Sequence, residues 1–237
     1  MNDYDAIESC EMSHSIRQKL VNSDRFDVQM CAVQIAEIVA SDIIKNPQDM
    51  AIYSYSCDTL EKVLGEKVRD LDTLLLGDFF DSFPHIDIEI RREHSDQVDI
   101  DGYYYHTLDP DEDEGLIEVV VKMNESHIAQ IRKDHLVRSV QSVLAHEMQH
   151  VVQRCHLGID MLQIHDQPID HLRDVREVDA RVEEVLCGLS PDHSIDIFEQ
   201  KIRSYIDEYC SRNMINIAES KKEIENHIKF YQEKILQ

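Results

Sequence analysis

Basic residues are scarce in this chain. Its 237 residues include 24 Lys and Arg against 48 Asp and Glu, a formal net charge of −24 at pH 7. A nucleic-acid backbone is gripped through clustered Lys and Arg, so nucleic acid is not an expected partner. An anionic membrane surface would repel the chain for the same reason. Long apolar runs are missing too. No stretch approaches the roughly 18 apolar residues of a membrane span, and the opening MNDYDAIESCEMSHSIRQKL is acidic with no apolar centre. The expectation is no membrane partner, no secretory signal and a cytoplasmic location. The six cysteines, Cys10, Cys31, Cys57, Cys155, Cys187 and Cys210, form no C-x-x-C pair. Wide spacing favours free, mostly buried thiols over a disulfide framework. G-x-S-x-G, Walker and dinucleotide motifs, internal repeats and low-complexity linkers are all absent.

Hydrophobic residues make up 42% of the chain, enough for a core. The first third reads as helical. In RFDVQMCAVQIAEIVASDII, residues Phe26, Met30, Val33, Ile35, Ile38 and Val39 recur at helical spacing, and Pro47 follows as a stop. TLEKVLGEKVRDLDTLLLGDFF suggests a second helix, interrupted by Gly65 and ended near Gly77. The period then changes. HIDIEIRR alternates as a half-buried strand, QVDIDGYYYHTL carries β-favouring tyrosines, and GLIEVVVKM (115–123) is a third strand. DPDEDEG joins the last two as a hairpin-like loop. Helix returns from Asp134 to His156, again in DVREVDARVEEVLCGL up to Gly188, and in two segments over 194–237 split near Asn213. The expectation is one α+β domain over 1–237. It has a helical N-terminal part (1–80), a core at 85–190 and C-terminal helices at 194–237. Its sheet is small, antiparallel or mixed.

The stretch LAHEMQHVV (144–152) carries the chemistry. On a helix, His146 and His150 stand one turn apart on the same face. Two imidazoles so placed can bind one Zn2+. Glu147 lies beside the first histidine, within reach of a water on the metal. This is the H-E-x-x-H arrangement, in which glutamate serves as general base of a metallopeptidase. A polar patch on an ordinary helix is the plainer alternative.

On His146-Glu147-Met148-Gln149-His150, and on the order sheet, edge strand, active-site helix, second helix, the chain resembles the zincin superfamily of zinc metallopeptidases. The resemblance covers residues 85–190. It implies a zincin-like fold, a zinc cofactor and a protein or peptide substrate. It also implies that 115–123 is the edge strand that pairs with an extended substrate.

A catalytic zinc needs a third protein ligand and an open position. Glu177, in VREVDARVEE, is the favoured candidate. Its place on a downstream helix resembles the gluzincins, whose third ligand is a carboxylate. Ala180, one turn on, leaves room for helices to approach. Asp179 or Asp174 would then hold a histidine ring by its other nitrogen. His156 is the alternative ligand, because HEMQHVVQRCH has metzincin spacing. Gln153, however, stands where that motif needs glycine for a left-handed break. His171 and Asp174 are further choices. Taken alone, Glu177 is simply one of several solvated helix glutamates.

Other features are weaker. Asp109, Asp111 and Asp113 alternate as at the start of a calcium loop, but the glycine falls one place late, so a solvated acidic turn is expected. Between 86 and 118 there are twelve acidic and two basic residues, which would favour cationic substrate segments near a cleft. Tyr103, Tyr104, Tyr105, His165, His171, Arg173 and Arg176 are candidates for polarising a scissile carbonyl. His85, His94, His106, His127 and His135 read as surface residues. The leading expectation is a zinc-dependent peptidase with ligands His146, His150 and Glu177 and base Glu147. The competing one is a catalytically silent zincin-fold module whose acidic surface binds a basic protein or imitates nucleic acid.

Overall fold

The computed structural model describes residues 14–22, 28–48, 52–55, 86–106, 115–155, 158–159, 167–189 and 194–235. In chain order the helices are α1 (14–21), α2 (Val28–Lys45), α3 (Glu125–Gln130), α4 (Lys133–Cys155), α5 (Pro168–Arg173), α6 (Val175–Cys187), α7 (Ile195–Arg212) and α8 (Ile217–Ile235). The strands are β1 (Ile52–Tyr55), β2 (Ile86–Glu93), β3 (Asp99–His106) and β4 (Gly115–Lys122). The class is α+β with a small mixed sheet. Among the described residues, no helix is long and apolar enough to cross a membrane. The chain falls into two compact units, Phe26–Cys155 and Met1–Arg25 with His156–Gln237.

The first unit holds the sheet, whose order is β1-β2-β4-β3. β2 pairs β1 antiparallel and β4 parallel, and β3 pairs β4 antiparallel. Register places Ile88, Ile90, Ile117, Val119 and Val121 on one buried face. α4 packs against β3 and β4, and α2 packs along α4 through its buried Ala32, Ile35, Ala36, Val39 and Ile43. Tyr53 of β1 donates its phenol to Asp42 of α2 at 2.7 Å.

Two expectations need correction here. Residues 115–123 do not form the edge. β4 lies between β2 and β3, and Val120 is buried on the face opposite Val119 and Val121. A near-continuous apolar run marks a strand covered on both faces, which is the middle of a sheet. Among the described strands β3 is the edge on that side, and its tyrosines alternate in burial as an edge strand allows. The first third is also not wholly helical, because it contains β1. Four residues, IYSY, are too few to show a period, and pairing with the distant β2 is what makes them a strand. The helix expected over 59–80 and the loop 109–114 lie outside the described residues.

The second unit is helical. α6 buries Val175, Val178, Val182 and Leu186 at three- and four-residue steps. They meet Phe198, Ile202 and Ile206 of α7, and Ile224, Phe230 and Tyr231 of α8. Phe198 and Tyr231 stack with centroids 3.9 Å apart. α1 joins through Arg17, which pairs with Glu233 and lies over the Phe230 ring. Gly188 caps α6, where the sequence expects the helix to end. α5 was not expected. Its signal was Pro168 at the first helical position, where the absent N–H costs nothing. Cys187 and Cys210 are free, buried thiols.

Candidate metal centre

α4 is amphipathic, with Leu136, Val140, Leu144, Met148 and Val151 buried on its apolar side. The same helix carries His146, Glu147 and His150. The two imidazoles meet edge to face, with ring centroids 4.9 Å apart and planes at 81°. His150 is buried, and its Nδ1 lies 3.1 Å from Oε1 of Gln153, which is fully buried one turn later. A carboxamide oxygen only accepts, so this contact is a hydrogen bond in the tautomer that carries the proton on Nδ1 and leaves the lone pair on Nε2. That tautomer suits metal ligation, and the contact fixes the ring's orientation. Sequence reasoning had read Gln153 only as the residue that spoils a metzincin pattern. Its spacing from His150, three residues along a helix, was the available signal.

Glu147 is buried, and β3 crosses α4 beside it at Gly102. Gly102 therefore faces α4. Strand alternation directs Tyr104 the same way and turns Tyr103 and Tyr105 to the other face. These two are 44% and 49% exposed, and Tyr105 reaches Glu118 at 3.4 Å. Of the three tyrosines, only Tyr104 remains as a carbonyl-polarising candidate on the side of Glu147.

On α6, Asp174 is the N-cap. Its side chain accepts from the Arg176 N–H at 2.9 Å and from the Arg176 guanidinium, in an ion pair with both side chains about 5% exposed. Glu177 is half-buried in the first turn, where the helix dipole favours a carboxylate. His171 Nε2 lies 3.4 Å from Glu177 Oε2, and the His171 ring is 5.9 Å from that of Tyr209. Asp179 is fully buried and accepts from the Lys234 ammonium at 2.5 Å, with Glu183 at 3.5 Å from the same nitrogen. Arg181 is also buried, its guanidinium 4.5 Å over the Tyr205 ring. Burial drives the Tyr205 phenol up to about 12, against the pull of the Arg181 charge. Arg173 is exposed and pairs with Glu219 and Glu223.

Within the unit Phe26–Cys155, His146 and His150 of α4 offer two imidazole nitrogens one helical turn apart, and within the other unit Glu177 of α6 offers a carboxylate oxygen. Two imidazole nitrogens and one carboxylate oxygen suit zinc, whereas calcium and magnesium favour all-oxygen sets. His85, His156, His165 and Asp109, Asp111 and Asp113 lie outside the described residues, as does the side chain of His106. His94 and His135 are exposed as expected, and His127 closes a capping box with Asn124 at the start of α3. No protein-family model, curated protein or solved structure matches the chain.

Proposed function

We propose that the chain is a zinc-dependent peptidase of gluzincin type, with His146, His150 and Glu177 as ligands and Glu147 as general base. The observation that carries the reading is the donor set. Two histidines at helical i, i+4 spacing flank a buried glutamate on α4, and the resemblance to the gluzincins gives the third place to Glu177. Bound there, zinc would supply Lewis acidity toward a carbonyl and lower the pKa of water toward 7. The remaining chemistry belongs to the chain. Gln153 keeps the proton on Nδ1 of His150. Glu147 takes a proton from the attacking water as its oxygen bonds to the peptide carbon, then delivers it to the departing amine nitrogen as the C–N bond breaks. The chain's net charge of −24 favours substrates with cationic segments.

Elemental analysis tests the ligand set. Wild type should carry one zinc per chain, and His146→Ala and Glu177→Ala should lose it. Zinc-free wild type would remove the peptidase reading and favour the acidic binding module. Zinc retained by Glu177→Ala would reassign the third ligand.

A further inference from the structure

β3 has a glycine where strand propensity argues against one. Its neighbours Ile100, Tyr103, Tyr104 and Tyr105 are strong β formers, and glycine in a strand interior loses the most conformational entropy of any residue. The backbone does not demand it. Among the described residues the glycine at positive φ is Gly158, so Gly102 sits in a conformation open to any L residue. What Gly102 provides is space. A Cβ at this position would stand 2.4 Å from Val143 Cγ1, 2.8 Å from Glu147 Oε1 and 2.9 Å from Glu147 Cγ, so something would have to shift. Val143 is β-branched and stiff at χ1. The Glu147 carboxylate ends a flexible chain and would yield.

A strand glycine often marks a place where another group approaches closely. Here the approaching group is the side chain on which the proposed reaction depends. We propose that Gly102 is a positioning residue for Glu147: the bare backbone of the rim strand seats against the glutamate and sets where its carboxylate stands on α4. This rests on the peptidase reading above. It adds to the site a residue that makes no bond to metal or substrate.

The test uses the full chain and the Val143→Ala background, which removes the nearest overlap and leaves Glu147 as the one in question. In metal-free protein, adding Gly102→Ala should lower Tm by about 2–4 °C. Adding Glu147→Ala as well should abolish that drop, and a drop that persists unchanged would overturn the contact. In zinc-loaded protein assayed on a quenched-fluorescent peptide library, Gly102→Ala should cut kcat by about 100-fold, since an ångström of misplacement costs that much. KM and zinc content should hold. Glu147→Ala lacks both the Cγ and the carboxylate that the new Cβ would meet, so Gly102→Ala should cost the residual kcat of that variant less than about threefold. An unchanged kcat, or an equal loss in both backgrounds, would overturn the positioning role. Wild type that cleaves no peptide would remove the peptidase reading and this role with it, while the Tm coupling would still report the packing contact.

Discussion

Helices α4 and α6 both bury a stripe of polar side chains, and they do it differently. On α6 the buried groups are charged and matched: Asp174 with Arg176, Asp179 and Glu183 with Lys234 from α8, Arg181 against Tyr205. On α4 the buried groups are Gln141, Glu147, Gln149, His150 and Gln153, and the stretch from Ser139 to Gln153 contains no Lys or Arg. A buried ion pair repays its desolvation only with close geometry and gives mainly architecture. Imidazoles, carboxamides and one carboxylate are instead the donors that metals and protons use. The matched charges of α6 are architectural, while the proposed chemistry falls on α4, with Glu177 in the first turn of α6 as the proposed exception.

The largest effect should separate the two helices at once. Glu147→Gln should lower peptide hydrolysis by about 10²–10⁴-fold, the usual range for a lost general base, with zinc content and Tm nearly unchanged. Hydrolysis retained in that variant would end the assignment of α4. On the other side, Lys234→Met strands Asp179 and Glu183 as buried charges. Breaking such a pair costs about 3–5 kcal/mol, which calorimetry should read as a Tm loss of about 10 °C. Replacing Asp179 and Glu183 by Leu in the same variant should recover much of it. A Lys234→Met protein that melts like wild type would show that the α6 stripe is not structural.

A smaller effect sharpens the structural side through pH. His227 on α8 is fully buried with Nδ1 2.7 Å from the Glu223 carbonyl. Burial, and next the charge of Arg181, pull its pKa down to about 3, against the hydrogen bond to Glu223. The unfolded chain, with an ordinary histidine near 6.5, takes up this proton first. The contribution of neutral His227 is thus complete above pH 6.5 and is lost progressively as pH falls toward 3. At pH 5 the loss is about 2 kcal/mol. Denaturant titration of wild type and His227→Gln from pH 7 to 4 should show a flatter profile in the variant, and parallel profiles would refute the assignment. The smallest effect concerns α4 again. Gln153→Leu removes the acceptor on His150 Nδ1 and should weaken zinc binding about tenfold, read by chelator competition. Unchanged affinity would make Gln153 a packing residue only.

Local pattern carried much of this protein. The expected helix at 134–156 is α4 at Lys133–Cys155, and the alternation in HIDIEIRR is β2 with Ile88 and Ile90 inside. The i, i+4 pair His146 and His150 shares a face because 3.6 residues make a turn, a fact independent of everything else in the fold. Pairing across the sheet was not legible. β2 and β4 run parallel with β3 lying outside them, and nothing within GLIEVVVKM states which strand is its neighbour. β1 was invisible because its partner lies more than thirty positions away.

The amino-acid order alone determined the elements whose signal repeats within one or two turns: the helices, the alternating strands, the spacing of His146, Glu147 and His150, and the acidic charge. Tertiary structure decided what depends on which distant atoms share a volume. It made β3 the rim strand, brought Gly102 against Glu147, and gave Asp179 the ammonium of Lys234. The physical reason is range. A helix or strand period is set by backbone geometry over a few residues, whereas steric room and buried charge are settled only when segments far apart in the chain exclude water from the same place.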